Sequence, residues 1–147
     1  DIDRNPHQRI CATEMRKVLA FVFWLLVVGF WQSCSHQEPT PEELAGKAAK
    51  EYYDHLLAGD YEAFLQGKAN SDSLPSGYRQ ELLHAYEQFM QEQENNHGGI
   101  VGVAFTNARN DSLQQVMQAF LLLTFKDSVK EEIVIPMVLR DGQWKMR

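Results

Sequence analysis

Val116-Met-Gln-Ala-Phe-Leu-Leu-Leu-Thr-Phe125 and Ile133-Val-Ile-Pro-Met-Val-Leu-Arg-Asp-Gly-Gln-Trp-Lys-Met146 decide the fold class of this chain. In the first stretch, apolar side chains fall on both faces of an extended chain. That suits a central strand covered on one side by helices and partly covered on the other. The second stretch holds the sharpest local signal. Asp141-Gly142 between two extended runs is a two-residue hairpin turn, pairing Leu139 with Trp144 and Met137 with Met146 on one face. Pro136 cannot donate to a ladder, so it is expected at a sheet edge or a bulge.

Outward from this hairpin, Asp127-Ser128 separates the strand Val116 to Lys126 from the strand Val129 to Arg140. Upstream, Ile100-Val-Gly-Val-Ala-Phe-Thr106 reads as a further strand, with a polar turn around Asn107 to Ser112. Before these strands the period is helical. Thr40-Pro41-Glu42-Glu43 forms a capping box, with Thr40 as N-cap, Pro41 at the first helical position and Glu43 reaching back to the cap. In the helix that follows, Leu44, Ala48, Tyr52 and Leu56 form one row and Ala45, Ala49, Tyr53 and Leu57 the next, until Gly59 stops it. Asp60 caps a short second helix, Tyr61 to Leu65, and the polar stretch Lys68 to Ser73 with Pro75 and Gly77 reads as a loop. Tyr78, Leu82, Ala85, Tyr86, Phe89 and Met90 mark a third helix, which dissolves into Glu94 to Gly99. Three helices followed by four hairpin-linked strands predict an α+β domain, in which helices pack on a curved four-stranded antiparallel sheet.

Upstream of the domain, Met15 is followed by Arg16-Lys17 and then by an uncharged apolar run from Val18 to Trp31. These are the n-region and h-region of a signal peptide. The run falls short of the roughly 20 apolar residues that a membrane-spanning helix needs. Ser33-Cys34 at its end resembles the lipobox of bacterial lipoproteins, although Trp31 and Gln32 depart from the usual residues. The resemblance implies acylation of Cys34 and anchoring of the following domain to a membrane, because each buried CH₂ adds about 0.8 kcal/mol. The expected organisation is an over-extended start over residues 1–14 and a lipoprotein signal peptide over 15–33. Cys34 with a flexible tether occupies 34–40, and the domain occupies 41–147. The expected address is the bacterial envelope, at the outer membrane, with its periplasmic or surface face open.

From Cys34 onward the chain carries seventeen acidic against ten basic side chains. That balance argues against nucleic acid or anionic lipid as partners. Cys34 is the one cysteine after the leader, so neither a disulfide nor a thiolate metal site is expected. The histidines His36, His55, His84 and His97 have no metal-ligand spacing, no Gly-rich phosphate loop occurs, and no cofactor is expected.

The order of elements, with Gly59-Asp-Tyr-Glu-Ala-Phe64 after the first helix and Asp141-Gly-Gln-Trp-Lys145 at the end, resembles the nuclear transport factor 2-like superfamily. More narrowly, it is similar to small lipoproteins that carry this cone-shaped fold. The superfamily includes enzymes such as ketosteroid isomerase, whose cavity holds a carboxylate base and a tyrosine hydroxyl. In this chain Tyr52, Tyr53, Tyr78 and Tyr86 lie on helices expected to face the sheet, and His84 flanks the third helix's stripe. The strand stretches Val116 to Phe125 and Ile133 to Leu139 carry no Asp or Glu to act as a base. Tyr52, Tyr53, His84 and Tyr86 are therefore expected to border a site that binds a small apolar ligand or an envelope protein without catalysis. The plainer alternative is that the rings fill the core. A small cavity enzyme of isomerase, dehydratase or hydrolase type, and a purely structural envelope component, are the competing readings.

Overall fold

Thr40 starts the domain as its side chain predicts: its hydroxyl accepts from the Glu43 N–H at 3.2 Å, while the Glu43 carboxylate accepts from the Thr40 N–H at 3.4 Å. In the computed structural model, which describes residues 15–23 and 37–147, the chain divides into two compact units, Asp1–Glu38 and Pro39–Arg147. In the first unit residues 15–23 are helical (α1). No helix among the described residues is long and apolar enough to cross a membrane. Residues 1–14 and Cys34 lie outside the described residues.

The second unit contains α2 (Pro41–Leu57), α3 (Tyr61–Gln66), a 3₁₀ turn (Ser71–Ser73) and α4 (Ser76–His97). Four strands follow: β1 (Ile100–Asp111), β2 (Val116–Phe125), β3 (Lys130–Arg140) and β4 (Gln143–Met146). They form one antiparallel sheet in sequence order, β1-β2-β3-β4. The architecture is α+β, as the change of period from helical to extended predicts.

The core lies where α2 crosses the sheet. Ala45 and Ala49 from α2 meet Ala119 and Leu121 from β2, with Met137 from β3 beside them. All five are shielded from solvent, and small residues on the helix allow its close approach to β2. Gly46 completes this face: a Cβ there would overlap the ring of Phe105 on β1. From Met117 to Phe125 β2 alternates buried and half-buried positions, as expected of a strand with cover on both faces.

Four sequence expectations change. β1 does not end at Thr106 but continues to Asp111, with Ala108 opposite Ala119 and Arg109 opposite Gln118. This is an edge strand, so polar residues on its solvent side do not stop it; the chain turns where the Asp111 carboxylate accepts from the Leu113 and Gln114 N–H groups, both at 3.1 Å. Gly77 lies in the first turn of α4 rather than in the preceding loop. α4 also runs on to His97, stopped by Gly98 in the left-handed region at φ 73°. Finally, α4 buries no residue completely, and Tyr78 is half exposed rather than facing the sheet. α4 packs against α3 and β1 at the margin of the domain.

The final hairpin forms as expected, with Asp141 and Gly142 both at positive φ and Leu139 opposite Trp144. Pro136 pairs with Gln118 of β2, and its carbonyl accepts from the Arg147 N–H at 2.9 Å just where β4 ends. Its missing N–H faces that same side, away from the β2 ladder. Beyond β4, Gly67 and Ala69 bond to Met146 backbone groups at 2.7 Å each and cover the free edge.

Candidate functional site

Three aromatic rings from three helices meet at one end of the domain. α2 carries Tyr53, α4 carries Tyr86, and between them stands Phe64 from α3. α3 is only six residues long, and it is held by Asp60, whose carboxylate accepts from the Ala63 N–H at 3.0 Å. The Phe64 ring lies edge-on to both neighbours, with centroids 5.3 Å from Tyr53 and 4.9 Å from Tyr86 and both interplanar angles 84°. Such T-shaped pairs set the positive ring edge against the negative face of the next ring.

These rings form one wall of a cavity of about 330 Å³. Ile135 and Pro136 of β3 and Met146 of β4 form the opposite wall, and Lys68 and Arg147 stand at its border. Burial pushes the Tyr53 hydroxyl up to about 12, with the neighbouring Tyr86 adding to the effect. Burial, then Tyr78, raises Tyr86 as well. Both phenols are therefore neutral at physiological pH and present hydroxyl groups able to donate a hydrogen bond.

Of the four residues singled out by sequence, Tyr53 and Tyr86 come together here and the other two do not. Tyr52 turns toward β4. Its ring occupies the space left by Gly67, where a Cβ would sit 2.6 Å away, and its hydroxyl donates to the Trp144 carbonyl at 2.8 Å. Burial, then Glu51, raises its pKa. Tyr52 lines a separate groove of about 560 Å³ with Leu44, Leu139 and Trp144. His84 is exposed on α4, with Nε2 3.1 Å from Gln88 Nε2 and Nδ1 3.7 Å from a Glu87 oxygen. It lines none of these cavities.

Sequence reasoning missed Phe64, Ile135, Met146 and the two cations. Phe64 had a visible signal, since it sits one turn after a good cap. Lys68 and Arg147 had none, because the backbone pairing between Lys68 and Met146 that brings them together joins segments far apart in the chain.

A second cleft, of about 530 Å³, shares Lys68 and Arg147 with the aromatic cavity. Asn70, Gln114, Gln115 and Arg140 complete its polar wall. Among the described residues, no group of three or more His, Cys, Asp or Glu side chains could hold a metal ion.

A solved structure matches this arrangement of helices and sheet. It is a provisionally named nuclear transport factor 2-like transpeptidase from Campylobacter jejuni, superimposing with a TM-score of 0.55 at 12% identity and covering 68% of this chain and 94% of its own. The fold is nuclear transport factor 2-like. No protein-family model and no curated protein matches the chain. In the nuclear transport factor 2-like frame, the aromatic cavity lies between the helical layer and the β3–β4 end of the sheet. At this identity the likeness concerns the fold, and a fold of this kind hosts many unrelated activities.

Proposed function

We propose that the chain is a bacterial envelope lipoprotein, anchored through acylated Cys34, whose nuclear transport factor 2-like domain is a non-catalytic binding module for a small ligand. The observation that carries the binding half is the pocket itself. Tyr53, Phe64 and Tyr86 face Ile135 and Met146 across about 330 Å³, within the usual range of small-molecule sites, about 300–1,000 Å³. A largely apolar wall with a few convergent polar groups is the ordinary chemistry of such sites.

Proton transfer needs a base within reach of the substrate. The titratable side chains described around this cavity are two phenols whose pKa values burial raises, together with Lys68 and Arg147, and no carboxylate or imidazole is among them. The neighbour's named chemistry, transpeptidation, would require an activated nucleophile. The walls of this pocket are instead aromatic, aliphatic and cationic. These features favour binding over turnover.

Two experiments test the two halves. Labelled fatty acid should enter the wild-type chain in a bacterial host but not Cys34→Ala, and that substitution should release the protein from membranes. Equal membrane association of both chains, without label in either, would refute the anchor. For the domain, chemical-shift mapping against a library of small amphiphiles, glycans and envelope peptides should perturb Tyr53, Phe64 and Tyr86 together. Perturbations confined to the outer face of the sheet would move the site elsewhere, and turnover of a library member would overturn the non-catalytic reading.

A further inference from the structure

The domain is acidic overall, yet its cations are unevenly placed. Lys50 pairs with Asp54 at 2.7 Å, and Arg79 pairs with Glu62. Lys68, Arg140 and Arg147, by contrast, come together around the 530 Å³ cleft with the amides of Asn70, Gln114 and Gln115. Among the described residues that line this cleft there is no carboxylate side chain. One Arg147 N–H is committed to the Gln114 carbonyl at 3.1 Å, which holds the guanidinium against the β1–β2 turn. A neighbouring groove shares Lys68 and Arg140 with the cleft and adds Lys145, Asp72 and Asp141, so the carboxylates stand on the far side of these two cations and Arg147 belongs to the cleft side alone.

Three cations with amides, and no carboxylate side chain in the lining itself, make the cleft locally positive in an otherwise acidic surface. Such a site attracts an oxyanion, and a guanidinium fork matches the geometry of carboxylate or phosphate. What gives the cleft specificity is its neighbour. Lys68 and Arg147 stand in the walls of both this cleft and the aromatic cavity, so a molecule held by them has a polar recess on one side and an apolar one on the other.

We propose that the ligand is an anionic amphiphile, whose oxyanion head is held by Lys68, Arg140 and Arg147 while its apolar body lies against Tyr53, Phe64, Tyr86 and Phe89. This rests on the binding reading above and adds the ligand's charge and shape. It also qualifies the argument from net charge: an acidic domain discriminates against extended anionic surfaces at long range, while a cationic cleft selects one anion at contact.

The test uses the full chain and soluble probes built on one four-carbon phenylalkyl skeleton: 4-phenylbutyrate, 4-phenylbutyl phosphate and neutral 4-phenylbutanol, followed by calorimetric titration. At least one anion should bind about tenfold or more tightly than the alcohol, the weight of one charge-assisted contact. The preferred head identifies the carboxylate or phosphate source. Lys68→Met combined with Arg147→Met should erase that preference, as in part should Arg140→Met, at a position that lines the cleft but not the aromatic cavity, and the thermal melt of each variant checks that it is folded. If the alcohol binds as tightly as both anions, or if the double variant keeps the preference, the anionic head is refuted while the apolar binding site stands. If no probe binds and Tyr86→Ala changes nothing, the binding reading itself fails.

Discussion

Gly46→Ala places two well-measured effects in opposition. Gly46 lies inside α2, where alanine is favoured over glycine by about 1 kcal/mol on helix propensity alone. On an exposed helix face the substitution would stabilise the protein. Here the new methyl group would overlap three atoms of the Phe105 ring, and Phe105 is fixed on β1 beside the irregularity between Phe105 and Asn107. Overpacking commonly costs about 1–3 kcal/mol, and overlap with three atoms of one ring belongs at the upper end. The net result should be a loss of about 2 kcal/mol, which lowers the melting temperature of a domain this size by roughly 8 °C or more. Chemical denaturation with an unchanged m-value is the assay. Phe105→Leu in the same chain should recover part of the loss, since the two sites share one space and their effects cannot add independently. A Gly46→Ala variant that melts at or above the parent, or strict additivity with Phe105→Leu, would refute this account of how α2 seats on the sheet.

Trp144→Ala should cost less than the about 3–5 kcal/mol typical of a fully buried aromatic, because Trp144 is half buried and its partner Leu139 is exposed; a complete loss of folding in denaturant titrations would contradict this. Leu121→Ala, at a position with 0% exposure, should reach about 2–5 kcal/mol in the same titrations. Tyr53 should make the domain sensitive to alkali. Its folded pKa of about 12 exceeds the ordinary 10, so above pH 10 the unfolded chain loses this proton first and stability falls as pH rises from 10 to 12. Tyr53→Phe should blunt that fall in melts between pH 9 and 11.5, and an unchanged slope would disprove the assignment. At the acid end, the hydrogen bond from His97 at 2.7 Å, then the Val129 N–H, holds the Asp127 carboxyl below its usual value. Its stabilisation is present above the unfolded carboxyl pKa, about 3.9, and is lost as pH falls through the folded value, so Asp127→Asn should flatten the acid limb of the melting curve.

Local signals carried their full meaning wherever the interaction that reads them is local. The Thr40 capping box spans four residues, the Asp60 cap spans four and the Asp141-Gly142 turn has two, and each is closed by groups that are neighbours along the chain. The alternation from Val116 to Phe125 likewise disclosed a strand with cover on both faces, because successive side chains must point to opposite sides. The polar end of β1 was illegible because an edge strand draws its stability from the ladder with β2, not from the polarity of its solvent-facing side chains.

The candidate site divides along the same line. The sequence by itself determined that aromatic residues would recur on the helices, that the central strand stretches would bring no acid, and that the fold would be α+β. It could not determine which tyrosine points where. Tyr52 and Tyr53 are adjacent, but about 100° of helical rotation separates them. One reaches the Trp144 carbonyl of β4, and the other meets Phe64 and Tyr86. His84 shares a helix with Tyr86 but stays exposed, because α4 touches the domain along a narrow seam. Only the tertiary structure joined Lys68 to Arg147, through a backbone pairing that closes the free edge of β4. The position of a charge beside an apolar pocket depends on packing between distant segments, and no periodicity along one segment can encode it.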